Sequence, residues 1–335
     1  MPFTIDPEYA AVAKAYHAAK SALPKLQIGD VQGMRTRVGA AVRAMTAGPI
    51  PSDVTFKDYY TTTPDGHKML LRWYSKKPTP DSTTSPSSPT PAALFIHGGG
   101  MILGDVPMCD KPIGTYVSNS SIPLLAVEFR YAPESPHPYP VNDCFCALEW
   151  LRDHAGDLNV DASRIGIFGE SGGGGIAAGL ALYARDKGFS PPVAKQILVY
   201  PMLDDRTTRP DPEIVPWMVW DYEGNQTAWT AVLGDKVGGP KVSEYCAAAR
   251  AKDVTGLPPT YIEVGELDIF RDEDVEYATR LWKAGVSCEL HVHPGVAHAF
   301  EGPVPSSDVA TRSHADRVRA LRSFPVAPGS AKSHV

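Results

Sequence analysis

Between residues 164 and 187 the chain runs RIGIFGESGGGGIAAGLALYARDK: an apolar strand-like stretch, a serine among glycines, then an alanine- and leucine-rich run of helical character. A strand that passes into a helix over so few residues must turn sharply, and positions without a Cβ tolerate that turn best. Such a turn presents the Ser171 Oγ at the mouth of a sheet, with the following helix N-terminus behind it. A glycine-rich phosphate loop is the structural competitor. The segment lacks the lysine of a P-loop and the spacing of a dinucleotide fingerprint, so it predicts a strand, a nucleophile turn and a helix.

The rest of the chain supplies the layers that such a unit needs. Strand-like AALFIH, LLAVEFR, RIGIF, QILVYP, TYIEV and CELHVH alternate with helical stretches over 142–152, 175–187 and 274–284. That rhythm implies an α/β fold with a mostly parallel central sheet flanked by helices on both faces. Upstream, residues 54–62 and 67–74 read as a hairpin around Pro64-Asp65-Gly66. The low-complexity stretch PTPDSTTSPSSPTP, residues 78–91, reads as an exposed loop. At the start, Tyr9, Val12, Tyr16, Ala19 and Leu23, then Val31, Met34, Val38, Ala41 and Met45, recur at helical spacing, with Pro24 and Gly29 between them. Residues 1–50 are therefore expected to form a helical cap segment on a catalytic domain spanning 51–335. The rhythm breaks over about 204–256, where Trp217, Trp220 and Trp229 gather, and this insertion is expected to join the cap. A helix over 306–322 should close the domain, with the chain frayed from Phe324 onward.

Composition narrows the function. With 335 residues, 43 % of them apolar, the chain can bury one large core, and its net charge of −6 with scattered Lys and Arg gives no reason to expect nucleic acid. No apolar run approaches the roughly 20 residues that span a bilayer, and MPFTIDPEYA lacks the basic start and apolar stretch of a signal peptide, so a cytoplasmic location is expected. The five cysteines, Cys109, Cys144, Cys146, Cys246 and Cys288, include no CxxC and are expected to be reduced and mostly buried. HExxH is missing as well, and His291 with His293, on one face of a strand, is a weak ligand set. No metal or organic cofactor is expected.

The chemistry lies at the strand ends. ALFIHGGGMILG ends a strand in His97-Gly98-Gly99-Gly100, and glycines leave backbone N–H groups uncovered, two of which can face the oxygen that becomes negative when a serine attacks a carbonyl. The N–H of Gly172 would be a third donor. A serine nucleophile needs a base, and the base an orienting acid. TYIEV runs into Gly265-Glu266-Leu267-Asp268, and CELHVH into Pro294-Gly295-Val296-Ala297-His298, which places Asp268 and His298 on loops at the edge that carries Ser171. Glu266, Asp272 and Asp274 are rival acids, the latter two being suited to start the following helix. His291 and His293 are poorer bases because they lie within a strand.

These motifs together resemble the hormone-sensitive-lipase-like branch (family IV) of the α/β-hydrolase esterases, over about residues 54–300. The resemblance rests on His97 to Gly100, on Phe129-Arg130-Tyr131-Ala132-Pro133-Glu134, on Leu257-Pro258-Pro259-Thr260, on Gly265 to Asp268 with Arg271-Asp272-Glu273 beyond, and on His298-Ala299-Phe300. It implies a Ser171–His298–Asp268 triad, oxyanion donors at Gly99, Gly100 and Gly172, and a structural His97. The chain departs from the family in having Glu170 where Asp or Thr precedes the serine and Gly172 where Ala follows it; the doubled glycines are expected to loosen the turn. Ala299 replaces a frequent glycine.

The implied activity is hydrolysis of small to medium carboxylic esters through an acyl-enzyme, with Met101, Ile102, Trp217, Trp220 and Tyr222 as candidates to line an apolar cleft. Amidase, deacetylase or lactonase chemistry would use the same triad. A different class is a binding protein on this scaffold, as in the plant gibberellin receptors, which resemble the family yet lack the histidine; His298 argues against it. The expected partner is a small-molecule ester, and a second copy of the chain, as a homodimer, is the one macromolecular partner left open.

Overall fold

The computed structural model describes residues 3–78 and 88–325. Strands β1 (Val54–Thr62), β2 (Lys68–Lys76), β3 (Thr90–Ile96), β4 (Leu124–Val127), β5 (Val160–Glu170), β6 (Lys195–Val199), β7 (Thr260–Gly265) and β8 (Cys288–His293) form one sheet in the order β1-β2-β4-β3-β5-β6-β7-β8. The β1/β2 and β2/β4 pairs are antiparallel and every later pair is parallel, the arrangement of an α/β-hydrolase fold. Residues of β4, β6 and β7 are buried throughout, as expected for strands covered on both faces, whereas β1 at one edge and β8 at the other are partly open.

The helices are α1 (Pro7–Ser21), α2 (Val31–Thr46), α3 (Asp110–Ser120), α4 (Tyr139–Asp153), α5 (Gly172–Asp186), α6 (Tyr222–Leu233), α7 (Arg271–Lys283) and α8 (Asp308–Arg322). Alternation along the strands sorts the core. Leu94, Ile96, Ile165 and Ile167 join Leu148 and Leu151 of α4 and Ala177 and Leu180 of α5 on one face. Ala93, Phe95, Phe168 and Tyr261 join Ile113, Tyr116 and Val117 of α3 and Val318 and Leu321 of α8 on the other.

Three expectations are corrected. Thr90 and Pro91 belong to β3, because the Thr90 N–H donates to Asn159 O at 3.0 Å; residues 79–87 of the expected loop lie outside the described residues. Helix α5 begins at Gly172, not Gly175, because glycine lets its first turn pack against the Ile96 and His97 carbonyls at the end of β3. Phe324 is not frayed: its ring lies where a Cβ on Gly166 would come within 2.7 Å, so the aromatic fills the gap left by that glycine, and residues 326–335 lie outside the described residues.

Helices α2 and α6 pack together against the loop that follows β3, whereas Tyr9 and Ala13 of α1 pack with Leu267, Val296 and Phe300. Asp6 and Asp30 cap α1 and α2 by accepting backbone N–H groups of the first turn. The Gly29 N–H donates to Thr227 Oγ1 of α6 at 3.0 Å, and Lys20 pairs with Asp221 at 2.7 Å. Arg35 of α2 ties this layer down, donating to Ile102 O at 2.8 Å, to Ala132 O at 2.9 Å and to Glu134 at 2.6 Å and 2.7 Å.

Candidate active site

Ser171 sits between β5 and α5 with φ 54° and ψ −121°, a conformation that costs a non-glycine residue on the order of 1–3 kcal/mol and persists only where neighbours enforce it. They do so through the backbone: the Ser171 N–H donates to Val199 O at 2.9 Å, and its carbonyl accepts from Gly175 N at 3.0 Å and Met202 N at 3.1 Å. The glycine run tightens this turn, contrary to the loosening expected from sequence. A Cβ on Gly173 would lie 2.2 Å from Ile96 O, on Gly175 2.1 Å from Met202 O, and on Gly172 2.7 Å from Met101 N. The hydrogens leave room for the backbone of the β3 loop and of the segment after β6.

His298 and Asp268 meet Ser171 from two later loops. His298 Nε2 is 2.9 Å from Ser171 Oγ, and His298 Nδ1 is 2.6 Å from Asp268 Oδ2. All three are buried, with exposures of 8 % for Ser171, 6 % for His298 and 1 % for Asp268. The second Asp268 oxygen accepts the Phe270 N–H at 3.0 Å. The loops are stitched together: Leu267 N–H donates to Val296 O at 2.9 Å, Glu266 N–H to His293 O at 2.8 Å, and Gly295 N–H to the Glu266 carboxylate at 2.9 Å. Around the imidazole pack Tyr200, at 4.5 Å between ring centroids, and Phe270, at 5.3 Å.

The rivals are placed elsewhere. Glu266 braces the loop, Asp272 pairs with Arg271 at the surface, and Asp274 is buried in the first turn of α7, where burial beside Glu273 and Asp268 pushes its carboxyl well above the ordinary range. His291 lies 2.6 Å from Glu289, and His293 lies 3.5 Å from Glu263. Glu289, His291 and Asp316 are close enough to share a cation, but Arg319 already donates to both carboxylates.

The His97–Gly100 loop lies beside the serine turn. Gly98 approaches Ser171 so closely that a Cβ there would be 3.4 Å from the serine Cβ, and Gly99 and Gly100 have φ of 114° and 58°. The same loop approaches Gly172, where a Cβ would lie 2.8 Å from Gly100 N. His97 is buried, stacks on Phe129 at 4.4 Å and places Nδ1 2.7 Å from Gly98 O; burial lowers its basicity, so it is a neutral anchor that donates to that carbonyl.

Of the expected lining residues, Trp220 lies across the loop, its ring 2.6 Å from where a Gly100 Cβ would be. Tyr222 borders a cavity of about 200 Å³ shared with Asp268, Ile269 and Ile214. Met101 and Ile102 are buried in the main core, and Trp217 packs on the cluster of Tyr9, Leu267 and Phe300. All five cysteines are free thiols, with Cys109, Cys144 and Cys246 buried.

A polar network on the α3/α8 side escaped the sequence reading. Arg317, 2 % exposed, donates through Nε to Glu263 at 2.6 Å and through Nη1 to Glu301 at 2.7 Å and Tyr116 OH at 3.0 Å. Glu263 also accepts from Ser313 at 2.9 Å and Tyr261 at 2.5 Å. Burial works against the charge on Glu263, yet Arg317 beside it holds the carboxyl down at about 2. Glu170 accepts the Tyr116 hydroxyl at 2.9 Å, and burial pushes its carboxyl up to about 7 in spite of Arg317. The available signal was an arginine at helical spacing in line with Val309, Ser313 and Leu321.

Strand-end loops thus bring a serine, a histidine and an aspartate together on a fold of the α/β-hydrolase type. Residues 93–302 match the family described as alpha/beta hydrolase fold. The chain is 30 % identical to "Esterase LipI" of Mycobacterium tuberculosis over 86 % of its own length and 88 % of that protein. It is 34 % identical to "Carboxylesterase NlhH" of the same species, over 69 % of this chain and 74 % of that one. Among solved structures, "Bacterial Heroin Esterase" superimposes with a TM-score of 0.82 at 38 % identity, covering 95 % of this chain and 97 % of that one. The chain belongs to the hormone-sensitive-lipase-like branch of the α/β-hydrolase fold family and is a carboxylic ester hydrolase. No helix among the described residues is long and apolar enough to cross a membrane.

Proposed function

We propose that the protein hydrolyses small to medium carboxylic esters through a Ser171–His298–Asp268 triad and an acyl-enzyme. The observation that carries this reading is the unbroken relay from Ser171 Oγ to His298 Nε2 at 2.9 Å and from His298 Nδ1 to Asp268 at 2.6 Å. His298 takes the serine proton as Oγ attacks the ester carbonyl, and Asp268 holds the imidazole in the required tautomer and stabilises its protonated form. Backbone N–H groups of Gly99, Gly100 and Gly172 donate to the oxyanion; removing one such donor typically costs about 3 kcal/mol of transition-state stabilisation. His298 then protonates the departing alkoxide. A water molecule, deprotonated by the same imidazole, releases the acid and restores the serine.

Trp220 lying across Gly100 supports a short acyl side, since an indole in that position leaves little room beside the oxyanion loop. The five free thiols support a cytoplasmic location, where thiols stay reduced. The test is hydrolysis of p-nitrophenyl acetate, butyrate and octanoate by the wild type and by Ser171→Ala, with labelling by a serine-reactive phosphonate. Loss of turnover and labelling in the variant, with acetate or butyrate preferred over octanoate by the wild type, is expected. A wild type that neither turns over nor labels would move the case to a binding protein.

A further inference from the structure

The relay fixes which atoms react, but it does not explain what holds the serine turn and the histidine loop in register. Ser171, Tyr200 and Ala299 all have positive φ, at 54°, 36° and 52°. One precedes α5, one follows β6, and one follows His298. Strained residues on separate segments hold their positions only when something rigid ties the segments together.

Arg317 is that tie. On one side its Nη1 donates to Tyr116 OH at 3.0 Å, and that hydroxyl donates onward to Glu170, the residue before Ser171, at 2.9 Å. On the other side Nη1 donates to Glu301 at 2.7 Å, and Glu301 accepts the Tyr200 hydroxyl at 2.8 Å. The Tyr200 ring in turn packs edge-on against the His298 imidazole at 4.5 Å. Glu263, fully buried, fixes the guanidinium from behind through Nε at 2.6 Å, and the carbonyl of the same residue accepts the Tyr200 N–H at 2.6 Å. A planar guanidinium with several fixed donors suits this role because each contact limits how far the others can shift.

We propose that Arg317 is a positioning residue for ester hydrolysis: it clamps the serine turn, through Tyr116 and Glu170, to the histidine loop, through Glu301 and Tyr200. It touches neither substrate nor reacting atoms. The proposal rests on the triad reading above. Its failure is distinguishable from the failure of that reading, because Ser171→Ala tests the triad alone while the variants below keep every triad atom.

Replacing Arg317 itself would leave Glu263 and Glu301 without their counter-charge and could unfold the chain, so the test cuts one hydroxyl at a time. Tyr116→Phe removes the link to Glu170, and Tyr200→Phe removes the link to Glu301 while keeping the ring on His298. Both are assayed with p-nitrophenyl butyrate, and the rate of phosphonate labelling is measured alongside. Each variant is expected to melt within a few degrees of the wild type, to lower kcat about tenfold with KM within twofold, and to slow labelling in parallel. Because either cut opens the same clamp, the double variant is expected to lose little more than each single one. Folded single variants with wild-type kcat and labelling would overturn the proposal. A double variant whose losses multiply would also overturn it, since two independent packing defects behave that way.

Discussion

The two faces of the sheet at the serine turn are built from opposite materials. On the α4/α5 face, Ile165 and Ile167 meet a helix whose first turn is glycine, and the fit is set by the absence of side chains. On the α3/α8 face, Phe168 is followed by Glu170, and the fit is set by one arginine shared among glutamates and tyrosines. The first face fixes the serine turn by excluded volume, which is insensitive to pH. The second ties the turn to its neighbours by charge and hydrogen bonds, which titrate.

The comparison is broken most severely on the polar face. Glu263→Ala leaves the Arg317 guanidinium buried without its main counter-charge, and a cost of about 3–5 kcal/mol in urea unfolding is expected. On the glycine face, Gly173→Ala places a Cβ 2.2 Å from Ile96 O and 2.3 Å from His97 O, both backbone, so a loss of about 1–3 kcal/mol by the same measurement is expected, with esterase activity falling as the loop is displaced.

pH separates the faces further. Glu263, held at about 2 against an ordinary 4.5, contributes stability that is present above 4.5 and is lost as pH falls through about 2. Glu170, raised to about 7, acts in the opposite sense: its contribution is fully present below 4.5 and is lost as pH rises through about 7. Glu170→Gln should therefore gain stability relative to the wild type as pH rises from 4.5 to 7, read as the difference between their unfolding midpoints. A difference that stays constant over that window would show that Glu170 is not held in its uncharged form. The smallest effect belongs to the link between α1 and α6: Lys20→Ala removes a partly exposed pair with Asp221 and should change stability by no more than about 0.5 kcal/mol, with kcat unchanged.

Much of the site was legible because its signals are local. A serine turn needs glycine on both sides, an oxyanion loop needs uncovered N–H groups, and an acid and a base at successive strand ends fall on one edge by the geometry of a parallel sheet. The glycine run misled in one respect. Read along the chain it suggests looseness, whereas the β3 loop and the segment after β6 fill the space that side chains would occupy. Phe324 misled for the same reason, its partner being the distant Gly166.

The sequence by itself determined the layer order and pointed to Ser171, Asp268, His298 and the glycine loop that the fold brings together, because each depends on residues close together or on periodicity. The tertiary structure alone decided that Trp220 lies over Gly100, that Arg35 pins α2 to the loop after β3, and that Arg317 joins Glu170 to Tyr200. Those partners are separated by scores of residues and meet only when the helices are laid on the sheet, so no spacing in the chain records them.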